Sequence, residues 1–191
     1  MSKVSMIKDI DRYDDKIMDL TLEFWRSFGH FGTWQFWANV FFFVIPLALT
    51  LIFIDRKRIF QISFFGYTYH MFLVYLDIYF TRNNIWDHPY HLIPYVPVSI
   101  PVDGVLVPII FMAAYQYSIR HNRNFYLVTL LFAVVGTLTA AGWEQFGLLI
   151  LYKGMNLFHI YLLQISLAIL AYWGTNAFLY LQSRGKDINP I

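Results

Sequence analysis

The chain contains no cysteine, and only 14% of its 191 residues are charged. Without thiols it forms no disulfide, no thiolate metal site and no cysteine nucleophile. Soluble domains carry about 25% charged and roughly 45–50% apolar residues, whereas hydrophobic residues make up 58% of this chain and aromatic residues 20%. Because the apolar residues form blocks too long for a soluble core of this size to cover, the composition predicts a protein whose solvent is lipid.

Common catalytic and nucleic-acid signatures are also missing. The sequence has no GxSxG elbow, no Walker A loop, no GxGxxG turn and no HExxH helix. The net charge is +2 without a Lys/Arg-rich run, so no nucleic-acid partner is indicated. The sequence leaves the question of an enzyme open and favours a membrane protein that binds without catalysing.

The apolar blocks predict an all-α membrane bundle. A spanning helix needs roughly 20 mostly apolar residues, and five stretches meet this requirement. They are Thr33 to Ile54, Ile59 to Phe80, Val102 to Ser118, Phe125 to Leu151 and Leu157 to Leu181. We therefore expect a polytopic bundle of five transmembrane helices over residues 33–181, followed by a tail at 182–191.

The segment before the first span, residues 1–32, is amphipathic. Ile10, Tyr13, Ile17 and Leu20 recur at helical spacing, and aromatic residues follow. This pattern predicts an interfacial helix on the membrane surface. A solvated, frayed tail is the alternative.

Basic residues in the loops predict the orientation. Seven lie in the connections after the first, third and fifth spans, namely Arg56, Lys57, Arg58, Arg120, Arg123, Arg184 and Lys186. The other connections offer Arg82 and Lys153. The positive-inside rule then places the carboxyl terminus in the cytoplasm and the amino terminus outside.

That orientation brings Asp77, Asp103, Glu144 and His159 to one outer-leaflet zone, with Glu144 about two turns below the outer end of the fourth span. Arg82 lies in the loop above them and completes the set of candidate ligand-binding residues. A charge inside a bilayer costs roughly 2.5–3.5 kcal/mol on insertion scales, so each needs a partner or a function. We interpret the set as a polar pocket for a small ligand, an ion or a lipid head group. The alternative is structural: Arg82 pairs with Asp77 or Asp87, and Glu144 is capped across a helix interface.

His88 and His91, in the proline-rich loop after the second span, add candidate metal ligands. With the carboxylates they would suit a divalent metal, although the spacing matches no metal motif and no cofactor is required. If the protein is an enzyme, we expect it to act on lipid or isoprenoid, with Glu144 or Asp103 as acid/base. If it is a structural subunit, small residues such as Gly136 and Gly174 would form seams within the chain, to a second copy or to a membrane-protein partner.

Short polar signatures carry a resemblance across the spanning region. They are Tyr75-Leu76-Asp77, Trp86-Asp87-His88-Pro89, Pro101-Val102-Asp103, Tyr115-Gln116-Tyr117 and Trp143-Glu144. In this layout the chain resembles a family of small, uncharacterised five-span membrane proteins of Bacillus-like spore-forming bacteria. The resemblance implies a bacterial cytoplasmic membrane location and supplies no activity.

Overall fold

The chain is an all-α bundle, as the sequence predicts. The computed structural model describes residues 2–188, and side chains up to Arg184; the end of the predicted tail, 189–191, lies outside the described residues. The helices are α1 Lys3–Phe24, α2 Trp34–Phe53, α3 Ile59–Arg82, α4 Val107–Arg120, α5 Phe125–Gln145 and α6 Leu157–Ile188. Two short strands, β1 Trp86–Asp87 and β2 Ile150–Leu151, pair antiparallel, and π-helical segments occupy Trp25–Gly29 and Ile100–Leu106.

Polar side chains define where several helices begin. Thr33 accepts a hydrogen bond from the Phe36 amide at the start of α2, and Asn124 accepts from two amides at the start of α5. Asn156 does the same ahead of α6. These contacts satisfy amide groups that have no partner inside the helix, which fixes the helix start at the edge of an apolar run.

Four helical stretches are long and apolar enough to cross a membrane, rather than the five predicted. They are Trp34–Phe53, Ile100–Arg120, Phe125–Gln145 and Leu157–Arg184. The remaining predicted span forms α3, whose 24 residues would extend about 36 Å, but it is more polar. Its polar residues are tolerated because α3 packs inside the bundle.

Helix α3 is the central element of the bundle. Its buried residues Ile62, Phe65, Tyr69, Leu73 and Asp77 recur at intervals of three or four residues and form one stripe.

The direction of α3 follows from its contacts with α4. The ring of Phe65 stacks on Tyr115 at 4.4 Å, and the ring of Tyr69 stacks on Phe111 at 4.7 Å. Because the α3 residues increase in number as the α4 residues decrease, the two helices run antiparallel.

Helix α5 ends six residues earlier than the predicted span. Gln145 is its last residue, and Gly147 adopts a left-handed conformation with φ +69°. Glycine takes this conformation without the steric cost of a Cβ and commonly terminates helices. Residues 146–151 therefore form a turn and strand β2 rather than the last turns of a membrane span.

Small residues form a seam inside the chain. Ala133 of α5 and Ala168 and Ala171 of α6 have no exposed surface. Their burial within one chain shows that small residues of α5 and α6 serve internal packing.

Helix α1 lies apart from the core and contains no buried residue. The four residues of the predicted apolar pattern, Ile10, Tyr13, Ile17 and Leu20, are each 57–59% exposed. Trp25, just beyond it, donates a hydrogen bond from Nε1 to the carbonyl of His91 at 3.1 Å. The predicted amphipathic helix is present, and its residues Ile17, Leu20 and Phe24 line a groove together with Pro89 and His91.

Candidate functional site: a buried Asp-His-Asp centre

Three titratable side chains meet inside the bundle. They are Asp77, His88 and Asp103, whose residues are 0%, 7% and 5% exposed. One ligand atom of each lies within 4.8 Å of the other two. Asp77 belongs to the last turns of α3, His88 follows β1, and Asp103 lies in the π-helical segment before α4. Three separate segments therefore build one polar centre.

Asp77 is positioned by the loop that follows its own helix. The Trp86 indole donates a hydrogen bond from Nε1 to Asp77 Oδ1 at 2.6 Å, and Thr81 Oγ1 lies 3.4 Å from the same oxygen. The second oxygen, Oδ2, is buried and has no hydrogen-bond partner among the described residues. One side of the carboxylate is thus anchored, and the other is left available.

His88 is held at both ring nitrogens. Nδ1 lies 3.3 Å from the carbonyl oxygen of Leu148, and Nε2 lies 3.3 Å from Asp103 Oδ2. A neutral ring that donates from Nδ1 to the carbonyl keeps the Nε2 lone pair directed at the carboxylates, the arrangement of metal-bound histidines.

The charge of the centre is reflected in the pKa of His88. Burial favours the neutral ring, but contact with Asp103 and the negative charges of Asp103 and Asp77 outweigh burial and raise the pKa of His88 to about 9. Without a metal, the ring therefore holds a proton at neutral pH and partly offsets the two carboxylates.

The local backbone of Asp103 is unusual. The amides of Asp103 and Gly104 both donate to the Ser99 carbonyl, at 2.8 and 3.3 Å, so the chain makes a wide π-helical turn. Such turns often occur at functional sites because they redirect a side chain out of the regular helical pattern. Asp103 Oδ2 has no aligned hydrogen bond among the described residues, although His88 lies close to it.

A small cavity adjoins the centre. Its volume is about 40 Å³, and His88, Asp103, Trp143 and Gln164 contribute to its lining. A water molecule needs roughly 10–15 Å³ measured in this way, so the cavity has room for about three waters. Trp143 Nε1 and Gln164 Oε1 are buried without hydrogen-bond partners in the described part of the chain. The cavity therefore has polar groups that water or an ion would satisfy.

The structure brings Asp77 and Asp103 together and places the other predicted ligand-binding residues elsewhere. Arg82 is exposed and lies 3.6 Å from Asp14 of α1, so its partner is neither of the two predicted acids. Glu144 and His159 are exposed. Because α5 ends at Gln145, Glu144 lies in the last turn and not two turns below the end, which corrects its predicted depth.

The two candidate metal ligands also separate. His88 joins the two aspartates, whereas His91 does not belong to that group. His91 is half-buried and faces a groove formed with α1 and Pro89, where burial lowers its pKa. The proline between the two histidines prevents a helical turn that would direct both rings to one point.

Trp86, Trp143 and Gln164 were not among the predicted site residues. Gln164 is a polar residue in the middle of an apolar run, a pattern that indicates a functional position inside a membrane span. Gly136 lies opposite Gln164, and a larger residue there would be crowded because a Cβ would lie 2.4 Å from Gln164 Oε1. Tryptophan in a membrane protein usually indicates an interface, so no sequence pattern predicted that these indoles lie beside buried acids.

The arrangement offers two carboxylate oxygens and one imidazole nitrogen to a shared point. Zn²⁺, Mn²⁺ and Fe²⁺ bind this mixture of ligands. No protein-family model, no curated protein and no solved structure matches the chain.

Proposed function

We propose that this protein is a membrane protein that binds one divalent metal ion in the centre formed by Asp77, His88 and Asp103. The observation that carries the proposal is the convergence of three buried ligand atoms within 4.8 Å. Asp77 Oδ2 lacks a hydrogen-bond partner among the described residues, and Asp103 Oδ2 has only His88 Nε2 beside it, at 3.3 Å. Buried acids are retained where they are paired or coordinate metals.

The balance of charge supports a divalent ion. In an ion-bound centre the two aspartates would be ionised and would contribute a charge of −2. A divalent ion bound to a neutral His88 would bring the sum to zero, and an uncompensated buried charge is costly in a bilayer. A monovalent ion beside neutral His88 would leave the centre negatively charged.

The cavity supports an ion with water rather than a lipid head group. Three protein ligands leave at least one coordination position open, and a cavity of about 40 Å³ adjoins two of those ligands. About three waters fill this volume, whereas a phosphorylated head group is several times larger. An intramembrane enzyme acting on lipid or isoprenoid has less support, because the cavity is too small for such a substrate and Glu144 is exposed.

We also propose that α3 crosses the bilayer as a fifth span in a bacterial cytoplasmic membrane, with the amino terminus outside. Its length and its antiparallel packing on α4 support this topology, and the basic loops support the orientation. Because the chain lacks cysteine, single substitutions Asp9→Cys and Arg123→Cys can be labelled in intact cells. A membrane-impermeant maleimide should label the first and not the second; the reverse pattern would contradict the orientation.

The metal proposal is tested by elemental analysis of the purified protein, followed by titration with Zn²⁺, Mn²⁺ and Mg²⁺. We expect one transition-metal ion per chain in the wild type. Asp77→Asn, His88→Gln and Asp103→Asn should each reduce the bound metal to a small fraction, because each removes one of three ligands.

Two matched variants serve as controls. Glu144→Gln and His159→Gln change the same residue types in exposed positions at the same end of the bundle, and both should keep full metal content. A wild-type protein that binds none of the three ions at millimolar concentration contradicts the proposal. Equal metal loss in the exposed controls would also contradict it.

A further inference from the structure

A second feature lies at the opposite end of the bundle, where the basic loops gather. A groove of about 750 Å³ runs between α3 and α6. Lys57 and Arg58 lie at its mouth, before the first residue of α3, and Gln182 lies near the end of α6. This groove shares no lining residue with the cavity beside the Asp-His-Asp centre.

The mouth of the groove carries unpaired positive charge. Lys57 and Arg58 are exposed, and neither forms an ion pair in the part of the chain that the structure describes. Arg58 uses one guanidinium nitrogen to donate to the Ile119 carbonyl at 2.7 Å, which holds the side chain in place and leaves its other N–H groups available. The nearby acid, Asp55, accepts a hydrogen bond from the Lys57 backbone amide, so its carboxylate caps the turn and does not form an ion pair with either cation.

The walls below the mouth are apolar and aromatic. Phe60 and Phe64 of α3 face Phe178 and Leu179 of α6, and Phe60 is 89% exposed. The wall residues of α3 extend from Phe60 to Tyr67, which is about 10 Å along the helix. One leaflet provides about 15 Å of hydrocarbon, so the walls cover most of one acyl-chain depth.

We propose that this groove binds one anionic phospholipid, such as phosphatidylglycerol, from the leaflet that the basic loops face. The phosphate lies at Lys57 and Arg58, and an acyl chain lies along the wall formed by Phe60, Phe64 and Phe178, in which the rings of Phe64 and Phe178 contact each other at 5.1 Å. Basic pockets between transmembrane helices bind anionic head groups in this way. The two positive charges at the mouth favour a lipid over a helix of a second copy, because such a helix would bring no phosphate to neutralise them. The proposal is independent of the metal centre.

The test measures lipid binding to the full chain in a neutral detergent by native mass spectrometry. Phosphatidylglycerol should bind as one retained molecule per chain, and phosphatidylcholine of the same chain length should bind at least several-fold more weakly. Lys57→Gln should weaken phosphatidylglycerol binding about fivefold, the value of one cationic contact at a membrane surface. Ser63→Trp, which adds a large side chain at an exposed position of the groove lining, should abolish retention while leaving the charges in place.

The matched control is Arg56→Gln, which removes an adjacent exposed cation that does not line the groove. It should leave lipid binding unchanged, and an equal loss would show attraction to the whole basic surface and overturn the site. Equal retention of phosphatidylcholine would overturn the role of the charges. Displacement of the lipid by millimolar inorganic phosphate, or a protein dimer in place of a lipid adduct, would overturn the choice of occupant.

Discussion

Metal binding at the Asp-His-Asp centre should depend steeply on pH, because the ion and a proton compete for His88. The neighbouring carboxylates raise the pKa of His88 to about 9. About one-tenth of the rings are then neutral at pH 8 and about one-thousandth at pH 6. Lowering the pH from 8 to 6 should therefore weaken the metal affinity about 100-fold, or about 2.7 kcal/mol, with release of at least one proton for each ion bound.

The assay is a competition titration of Zn²⁺ against a chelator of known affinity at several pH values, with a correction for the chelator's own protonation. Calorimetry in buffers of different ionisation enthalpy counts the protons directly. The control is His91→Gln, since His91 does not belong to the metal group, and it should keep the slope. An affinity that changes less than threefold between pH 6 and 8 would refute both the raised pKa and the role of His88 as a ligand.

The raised pKa of His88 also predicts how the stability of the metal-free protein changes with pH, and here a higher pH is unfavourable. A histidine whose folded-state pKa rises from 6.5 to about 9 stabilises the fold fully below about pH 6.5, and the stabilisation disappears as the pH rises through 9. The loss amounts to at most about 3 kcal/mol. The melting temperature of metal-free protein in detergent should thus fall between pH 7 and 9.5, and saturating Zn²⁺ should remove most of the fall. A metal-free melting temperature that rises over this interval would be incompatible with a protonated His88.

Three further changes test the surroundings of the centre by thermal unfolding in detergent. Trp86→Phe removes the indole donor at 2.6 Å from Asp77 and should cost about 1–3 kcal/mol, the cost of a buried group that loses its partner; no change would mean that the carboxylate finds another donor. Arg82→Gln removes an exposed ion pair and should change stability by less than about 1 kcal/mol, so a large loss would contradict its assignment as a surface contact. Gly136→Ala places a Cβ 2.4 Å from Gln164 Oε1, and because this amide is the end of a flexible side chain beside the cavity the cost should be about 1 kcal/mol, the lower end for overpacking; Gln164→Ala in the same protein should relieve it, and additive losses would show that the two residues are independent.

The helical architecture follows directly from the apolar periodicity, and its boundaries follow from local chemistry. α2 and the start of α5 lie within a residue of their predicted limits, because Thr33 and Asn124 cap them where the apolar runs begin. The predicted end of α5 was wrong, because the apolar sequence continues through residues 146–151 and does not indicate the left-handed conformation of Gly147. Backbone conformation, not composition, ends that helix.

The site illustrates a second limit of sequence reasoning. Depth along a helix predicted that Asp77 and Asp103 lie at one level, and the structure places both in one centre. Depth cannot show which side of a helix a residue occupies, so Glu144 and His159 were grouped with them although both are exposed. His88 lies in a loop without regular periodicity. Its position depends on pairing between β1 and β2 and on the Leu148 carbonyl, contacts that are distant in sequence.

A bound metal ion would join three segments of the chain directly and a fourth through His88. Asp77 belongs to α3, Asp103 precedes α4, His88 lies in the loop, and Leu148, which contacts His88, follows α5. An ion that binds only the folded arrangement adds its binding free energy to the stability of that arrangement. The loop contains Pro89 and only the two-residue strand β1 as regular structure, so it has few backbone contacts with which to hold His88 against two aspartates. A bound ion would therefore add to the attraction that a protonated His88 alone provides between two carboxylates that repel each other.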